Sequence, residues 1–190
     1  EYGDKIIGDQ YRVLRDYLSK NENDRIENPI NLIGSDLSGI SLSGLNFSYV
    51  KAHDVVFSNS HLSLCRFAYA DLERSNFTDA TVIRAEFHNA DLQDANFSGA
   101  DLSNADFTDA KLVRANFSST QLYGACLVRA DVANVSFNNS NLSCSYLSGI
   151  RNLDQAKDLS RAHFLNTMVD RKDLAVLKRA LKERKPLIYQ

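Results

Sequence analysis

Three cysteines, Cys65, Cys126 and Cys144, and four histidines, His53, His61, His88 and His163, are the residues of this chain best suited to nucleophilic, redox or metal chemistry. A Cys/His metal centre needs ligands in close pairs, and the chain has neither a CxxC nor a Cys/His cluster. An odd number of cysteines also fails to suggest a disulfide scaffold. Cys65 falls in a ladder of small residues described below and reads as buried filler. Cys126 and Cys144 fall on outward or corner positions and read as free thiols without a role. The histidines are scattered and are expected at the surface. Asp71, Asp91, Asp101, Asp106 and Asp131 recur inside one repeated motif, so they read as wall or corner residues rather than general acids or calcium ligands. No catalytic, cofactor-binding or metal-ligating residue is assigned; the expectation is a non-enzymatic protein with no cofactor.

Phosphate recognition is the other chemistry to weigh. Arg66, Arg74, Arg84, Arg114 and Arg129 are interleaved with acids, and Lys178, Arg179, Lys182, Arg184 and Lys185 crowd the C-terminal segment. The net charge of −2 hides a segregation: residues 30–150 carry −5, residues 151–190 carry +5 and residues 1–29 carry −2. Neither part is extreme enough to name a partner. The basic C-terminal stretch reads as a solvated helix face, and direct nucleic-acid binding is not expected.

What must position these side chains is a repeat of five. From Leu32 to Leu147 every fifth residue is apolar, with Phe at 47, 57, 67, 77, 87, 97, 107, 117 and 137. Two places earlier runs a ladder of small or modest residues, most uniform over Ala80, Ala85, Ala90, Ala95, Ala100, Ala105, Ala110 and Ala115. The other three places are mostly polar. A period of five fits neither a helix nor a flat strand. It fits a chain that turns a corner every five residues and points the large and the small residue inward, with stacked turns sharing one core. Asn, Asp, Ser and Gly suit the corners. Phe recurring every ten residues is compatible with four fives per turn of the chain, which stacks Phe67, Phe87 and Phe107 over one another.

The motif A(D/N)LXX, present as Ala70-Asp71-Leu72, Ala95-Asn96-Phe97, Ala105-Asp106-Phe107 and Ala115-Asn116-Phe117, resembles the pentapeptide-repeat family. That resemblance implies a right-handed quadrilateral parallel β-helix over residues 30–149, and so an all-β solenoid of about six regular coils. One functional subgroup of the family resembles double-stranded DNA in shape and charge and acts on type II topoisomerases. This chain departs from it in its small, arginine-interrupted acidic excess and its basic C-terminus.

The domain reading is a lead-in and capping helix over 1–29, the repeat over 30–149, and an irregular last coil with a second capping helix over 150–190. Ile7, Tyr11, Leu14 and Leu18 share a face of a helix at about 9–20, and Leu174, Leu177 and Leu181 share a face of one at 171–184 that Pro186 stops. Ala52 stands where Leu or Phe is expected and reads as a repacked corner; at Asn152 the period breaks. The chain begins at Glu1, and the expectation is a processed chain or a piece of something longer. The function read from all this is a scaffold or protein–protein interaction domain. The alternatives are a DNA-mimicking modulator of a type II topoisomerase and the β-helical domain of a larger effector or enzyme. Its partner is expected to be another protein, without membrane insertion, and the chain itself a monomer. The expected location is soluble and cytoplasmic, with secretion or export as the alternative.

Overall fold

The computed structural model describes residues 29–182 together with Leu14, Asp16, Leu18, Ile26 and Glu27. Each five turns its corner in the same way. In the unit around Phe67, the Ala70 amide donates to the Phe67 carbonyl at 3.1 Å, and Tyr69 between them has φ 57°. That is the hydrogen bond and the left-handed third residue of a type II turn. From 34 to 149 every fifth residue has φ between 55° and 76°, including Leu64, Tyr69, Arg74 and Arg129, for which this region is uncommon. The Asp or Asn of the motif eases the turn: Asp106 Oδ1 accepts the Thr108 amide at 2.9 Å, and Asn96 Oδ1 accepts the Ser98 amide at 3.1 Å.

Four corners return the chain to its starting point. Parallel bridges join residues twenty apart six times in succession, from Asn31↔Lys51 through Asp131↔Arg151. Each twenty-residue lap is bound to the next by backbone bonds such as Phe87 N–H to Asp106 O at 2.6 Å and Asn89 N–H to Thr108 O at 3.0 Å. The interior is filled by the two ladders. Phe67 stacks on Phe87 at 4.9 Å and Phe77 on Phe97 at 4.7 Å, while Phe87 meets Phe97 edge-on at 5.9 Å. The eight alanines from Ala80 to Ala115 are at most 1% exposed, and Ala52 is fully buried beside buried Val50 and Val55.

The expected all-β architecture is corrected by this geometry. Among the described residues there is no β-strand and no sheet; the named elements are two single-turn 3-10 helices and one α-helix, and every pairing is an isolated bridge. The terms β-helix and solenoid, and the implied quadrilateral β-helix, therefore do not describe the chain. The physical reason is the length of the repeat. A strand needs consecutive paired residues, whereas here a corner consumes the rest of each five and leaves a single residue in bridging register.

After Ile150 the step lengthens. The bridging residues run Arg151, Lys157, His163, Met168, so two consecutive steps hold six residues. The extra residue in each is taken up by a 3-10 turn, Leu153–Gln155 and Leu159–Arg161, entered through Asn152 and Asp158 at φ 60° and 59°. Leu153 and Leu159 thereby reach the core in place of the residue expected at 152. Helix α1, Arg171–Lys182, lies against both 3-10 turns, with Leu177 buried. The Asp170 carbonyl accepts the Asp173 and Leu174 amides, and its carboxylate accepts the Gly149 amide at 2.7 Å. The expected continuation of this helix to 184 lies outside the described residues. So does most of the expected N-terminal helix at 9–20, although Leu14 and Leu18 are helical, buried and part of the core cluster.

Candidate interaction surface

Because the interior is closed by side chains, the polar groups are displayed on four walls. The wall bridged through Asp71, Asp91 and Lys111 is charged, and several of its charges pair with one another. Lys111 reaches Asp91 at 3.1 Å, Arg74 grips Asp54 with two bonds of 2.8 Å and also contacts Glu73, and Arg114 grips Asp94 at 2.7 and 2.6 Å. Each grip spans one lap, so the twenty-residue recurrence places an arginine directly over an aspartate. Arg129 and Asp109 repeat the arrangement on another corner, at 2.8 and 2.5 Å. The guanidinium groups hold the carboxyls of Asp54, Asp94 and Asp109 below the usual carboxylate range.

The next wall is nearly uncharged between Val56 and Ser136. Its Asn76, Asn96 and Asn116 form a ladder in which Asn116 Nδ2 donates to Asn96 Oδ1 at 3.0 Å and Asn96 Nδ2 donates to Thr78 Oγ1 at 3.0 Å. These amides bond to their own neighbours and to the corners.

The residues singled out for chemistry do not converge. Asp71, Asp91, Asp101, Asp106 and Asp131 each accept the amide two residues on, at 2.9–3.4 Å, which is a corner role. His53 contacts Asp54 at 2.8 Å, His88 lies edge-on to Tyr69, and His61 and His163 occupy bridges five laps apart on one wall. Among the described residues no group of three or more His, Cys, Asp and Glu could hold a metal ion. Burial pushes the Cys65 thiol up to about 12, and its Sγ lies 3.1 Å from the Leu42 carbonyl. Cys126 and Cys144 are half-buried and free; Cys126 lies 3.3 Å from Thr108 Oγ1. Of the five arginines, Arg66 pairs with Glu86 at 3.4 Å, and Arg84 has no ion-pair partner among the described residues.

Sequence reasoning missed one feature. Beside the last lap lies an open groove of about 710 Å³, lined by Asn139, Asn141, His163, Phe164, Leu165 and Leu181 among others. Leu165 on its edge is 71% exposed, and Met168, Tyr123 and Tyr146 stand out on nearby laps. The sequence carried little signal for it: the position of Leu165 is Ser at 43, 63, 103 and 143 but Ile at 83 and Tyr at 123.

A filled stack of laps, with an Asx-supported corner every five residues, defines a repeat protein. Two family models match: a pentapeptide repeat region at residues 31–107, and pentapeptide repeats (8 copies) at 90–127, 100–139 and 115–151. Together they span 31–151 and link the chain to the pentapeptide-repeat family. No curated protein matches the chain. Among solved structures it is similar to a trypsin-treated variant of QnrB1, a plasmid-mediated fluoroquinolone resistance protein, at 15% identity and TM-score 0.37, covering 83% of this chain and 98% of that one. It is similar to HetL, a pentapeptide repeat protein involved in heterocyst differentiation regulation from the cyanobacterium Nostoc sp. strain PCC 7120, at 20% identity and TM-score 0.27, covering 77% and 92%. A pentapeptide repeat protein from the Arabidopsis thaliana thylakoid lumen is 26% identical with TM-score 0.28, covering 72% and 79%. At these TM-scores the likenesses do not extend to function. No helix among the described residues is long and apolar enough to cross a membrane.

Proposed function

We propose that this chain is a non-enzymatic protein-interaction module, a rigid display of polar walls and ends for another protein. The observation that supports it is the division of labour along each five. Large and small residues fill the interior, and the remaining side chains face outward without gathering into a catalytic constellation. Rigidity matters here: a wall pinned lap by lap pays little ordering entropy when it docks. The test is an affinity capture with the full chain as bait. A stoichiometric protein partner, competed by free chain, is expected; recovery of none, or turnover of a small molecule by the purified chain, refutes the reading.

A second reading is a DNA-mimicking modulator of a type II topoisomerase. Its support is the −5 charge of residues 30–150. The pairing of Asp54, Asp94 and Asp109 with arginines works against it, since these acids no longer present free negative charge. A supercoiling assay separates the two readings: stoichiometric modulation of the topoisomerase favours the second, and no effect leaves the first.

A further inference from the structure

Helix α1 has two unlike faces. Its inner face is committed: Leu177 is buried, Val176 and Ala180 pack against the core, and the helix lies on both 3-10 turns. Its outer face centres on Ala175, which is exposed. Residues three and four positions apart are neighbours on a helix surface, and all four such neighbours of Ala175 are basic: Arg171, Lys172, Lys178 and Arg179. Lys182 extends the cluster by one more turn, and all five cations are exposed. Among the described residues, the one ion pair that these five make is Lys172 with Asp173 at 3.9 Å.

The short side chain of Ala175 leaves a recess between longer ones. Ala175, Lys178, Arg179 and Lys182 line an open concavity of about 490 Å³. Two ammonium groups and a guanidinium thus border one small floor, and no carboxylate lines it. Three full cations outweigh the C-terminal helix dipole, which is equivalent to about half a negative charge.

This arrangement selects its ligand by charge and by donor number. A carboxylate has two oxygens and one charge, whereas a phosphate monoester brings about −1.5 to −2 charges and three acceptor oxygens, enough for all three cations. A lipid surface is the poorer source of that phosphate, because the outer face offers no large apolar side chain beyond Leu174, 38% exposed, to enter a bilayer. A nucleic acid is poorer still, since the net −5 of residues 30–150 repels a long polyanion.

We infer that the outer face of α1 binds a phosphorylated serine or threonine of a partner protein, with the phosphate seated over Ala175 between Lys178, Arg179 and Lys182. The site rests on the protein-interaction reading above and specifies the chemistry of the partner.

The test is a titration of the isotope-labelled full chain, followed by amide NMR shifts, with a twelve-residue peptide of Gly, Ala and Gln around one central phosphoserine. Saturable shifts confined to α1 around Ala175, Lys178, Arg179 and Lys182 are expected. Counterparts with Ser or Glu at the centre are expected to bind at least about tenfold more weakly. Ala175→Leu keeps every charge and installs a good helix former, and is expected to weaken phosphopeptide binding about tenfold by filling the recess. Lys178→Gln with Arg179→Gln is expected to abolish it. Far-UV spectra and urea midpoints confirm that both variants are folded. Equal binding of the Glu peptide, unchanged binding by either variant, or shifts centred on another wall each overturns the proposal. A chain that ignores the phosphopeptide but is retained by phosphatidylserine vesicles or single-stranded DNA through the same residues also overturns it. A captured partner whose retention survives phosphatase treatment and Ala175→Leu overturns this site and leaves the interaction reading standing; capture of no partner removes the interaction reading and the site with it.

Discussion

Removing one ring from the middle of the stack tests how the interior is held. Phe97 is fully buried, stacked between Phe77 at 4.7 Å and Phe117 at 4.9 Å and flanked edge-on by Phe87 and Phe107 at 5.9 Å. Phe→Ala in a core costs about 3–5 kcal/mol, and aromatic pairs add about 0.5–1.5 kcal/mol each beyond area. Collapse into the void is opposed by the backbone, since Phe97 N–H is tied to Asn116 O at 2.8 Å and Phe77 N–H to Asn96 O at 2.7 Å. Phe97→Ala is therefore expected in the upper part of that range, about 4–5 kcal/mol. Phe137 has one ring partner, Phe117 at 5.8 Å, so Phe137→Ala is expected to cost about 1–2 kcal/mol less. Urea unfolding followed by far-UV circular dichroism gives both values, provided the slope m is unchanged. A loss below about 1 kcal/mol for Phe97→Ala, or an equal or larger loss for Phe137→Ala, would refute the argument.

Ala95→Leu, at a place 1% exposed, is expected to destabilise by about 1–3 kcal/mol through overpacking, read from the same urea curves. Thiol labelling of the native chain is expected to modify Cys126 and Cys144 and to reach Cys65 only on unfolding; rapid labelling of all three would contradict its burial. Asp173 is buried with Oδ2 accepting no hydrogen bond and only the Lys172 ammonium 3.9 Å away, and desolvation raises its pKa, so its ionised form opposes folding above the folded-state pKa and the penalty disappears as pH falls below the unfolded value. Asp173→Asn is accordingly expected to raise the Tm at neutral pH, with the gain vanishing in acid. Asp54, Asp94 and Asp109 have the opposite sign: their pKa values are lowered, so their contribution is present above the unfolded value and is lost as pH falls through the folded one. Replacing Arg74, Arg114 and Arg129 by Gln is expected to weaken that acid-side loss in pH-dependent melting.

The buried ladders could be read in the sequence because side-chain size alone marks them: every fifth residue but Ala52 is large, and Ala80 through Ala115 leave room for the phenyl rings. The α1 helix was legible from Leu174, Leu177 and Leu181. Strands were expected because stacked parallel neighbours usually pair over several residues, and composition does not reveal that a left-handed residue such as Arg74 or Leu64 stands in every five. The two six-residue steps were hidden by a search for fives, although Ile150, Ala156 and Ala162 are spaced by six and so are Leu147, Leu153 and Leu159. The ion pairs joining Asp54 to Arg74, Asp94 to Arg114 and Asp109 to Arg129 follow the twenty-residue recurrence, but only the lap fixes which acid lies beneath which arginine. The groove by His163 depends on where α1 settles, which its own periodicity does not determine.

The bonds between laps join residues about twenty positions apart, and this has a mechanical consequence. When the chain is pulled at its two ends along the stacking axis, the bonds of an inner lap stay unloaded until the lap outside it has peeled. Failure should then proceed as a series of small yields instead of one rupture. A lap of twenty residues stretches to roughly 65–70 Å when extended and occupies about 4.8 Å when stacked, so each yield releases about 60 Å of slack. The laps carrying an arginine grip should let go at higher tension than their neighbours, making the charge pattern along the corner legible as an irregular sawtooth under load.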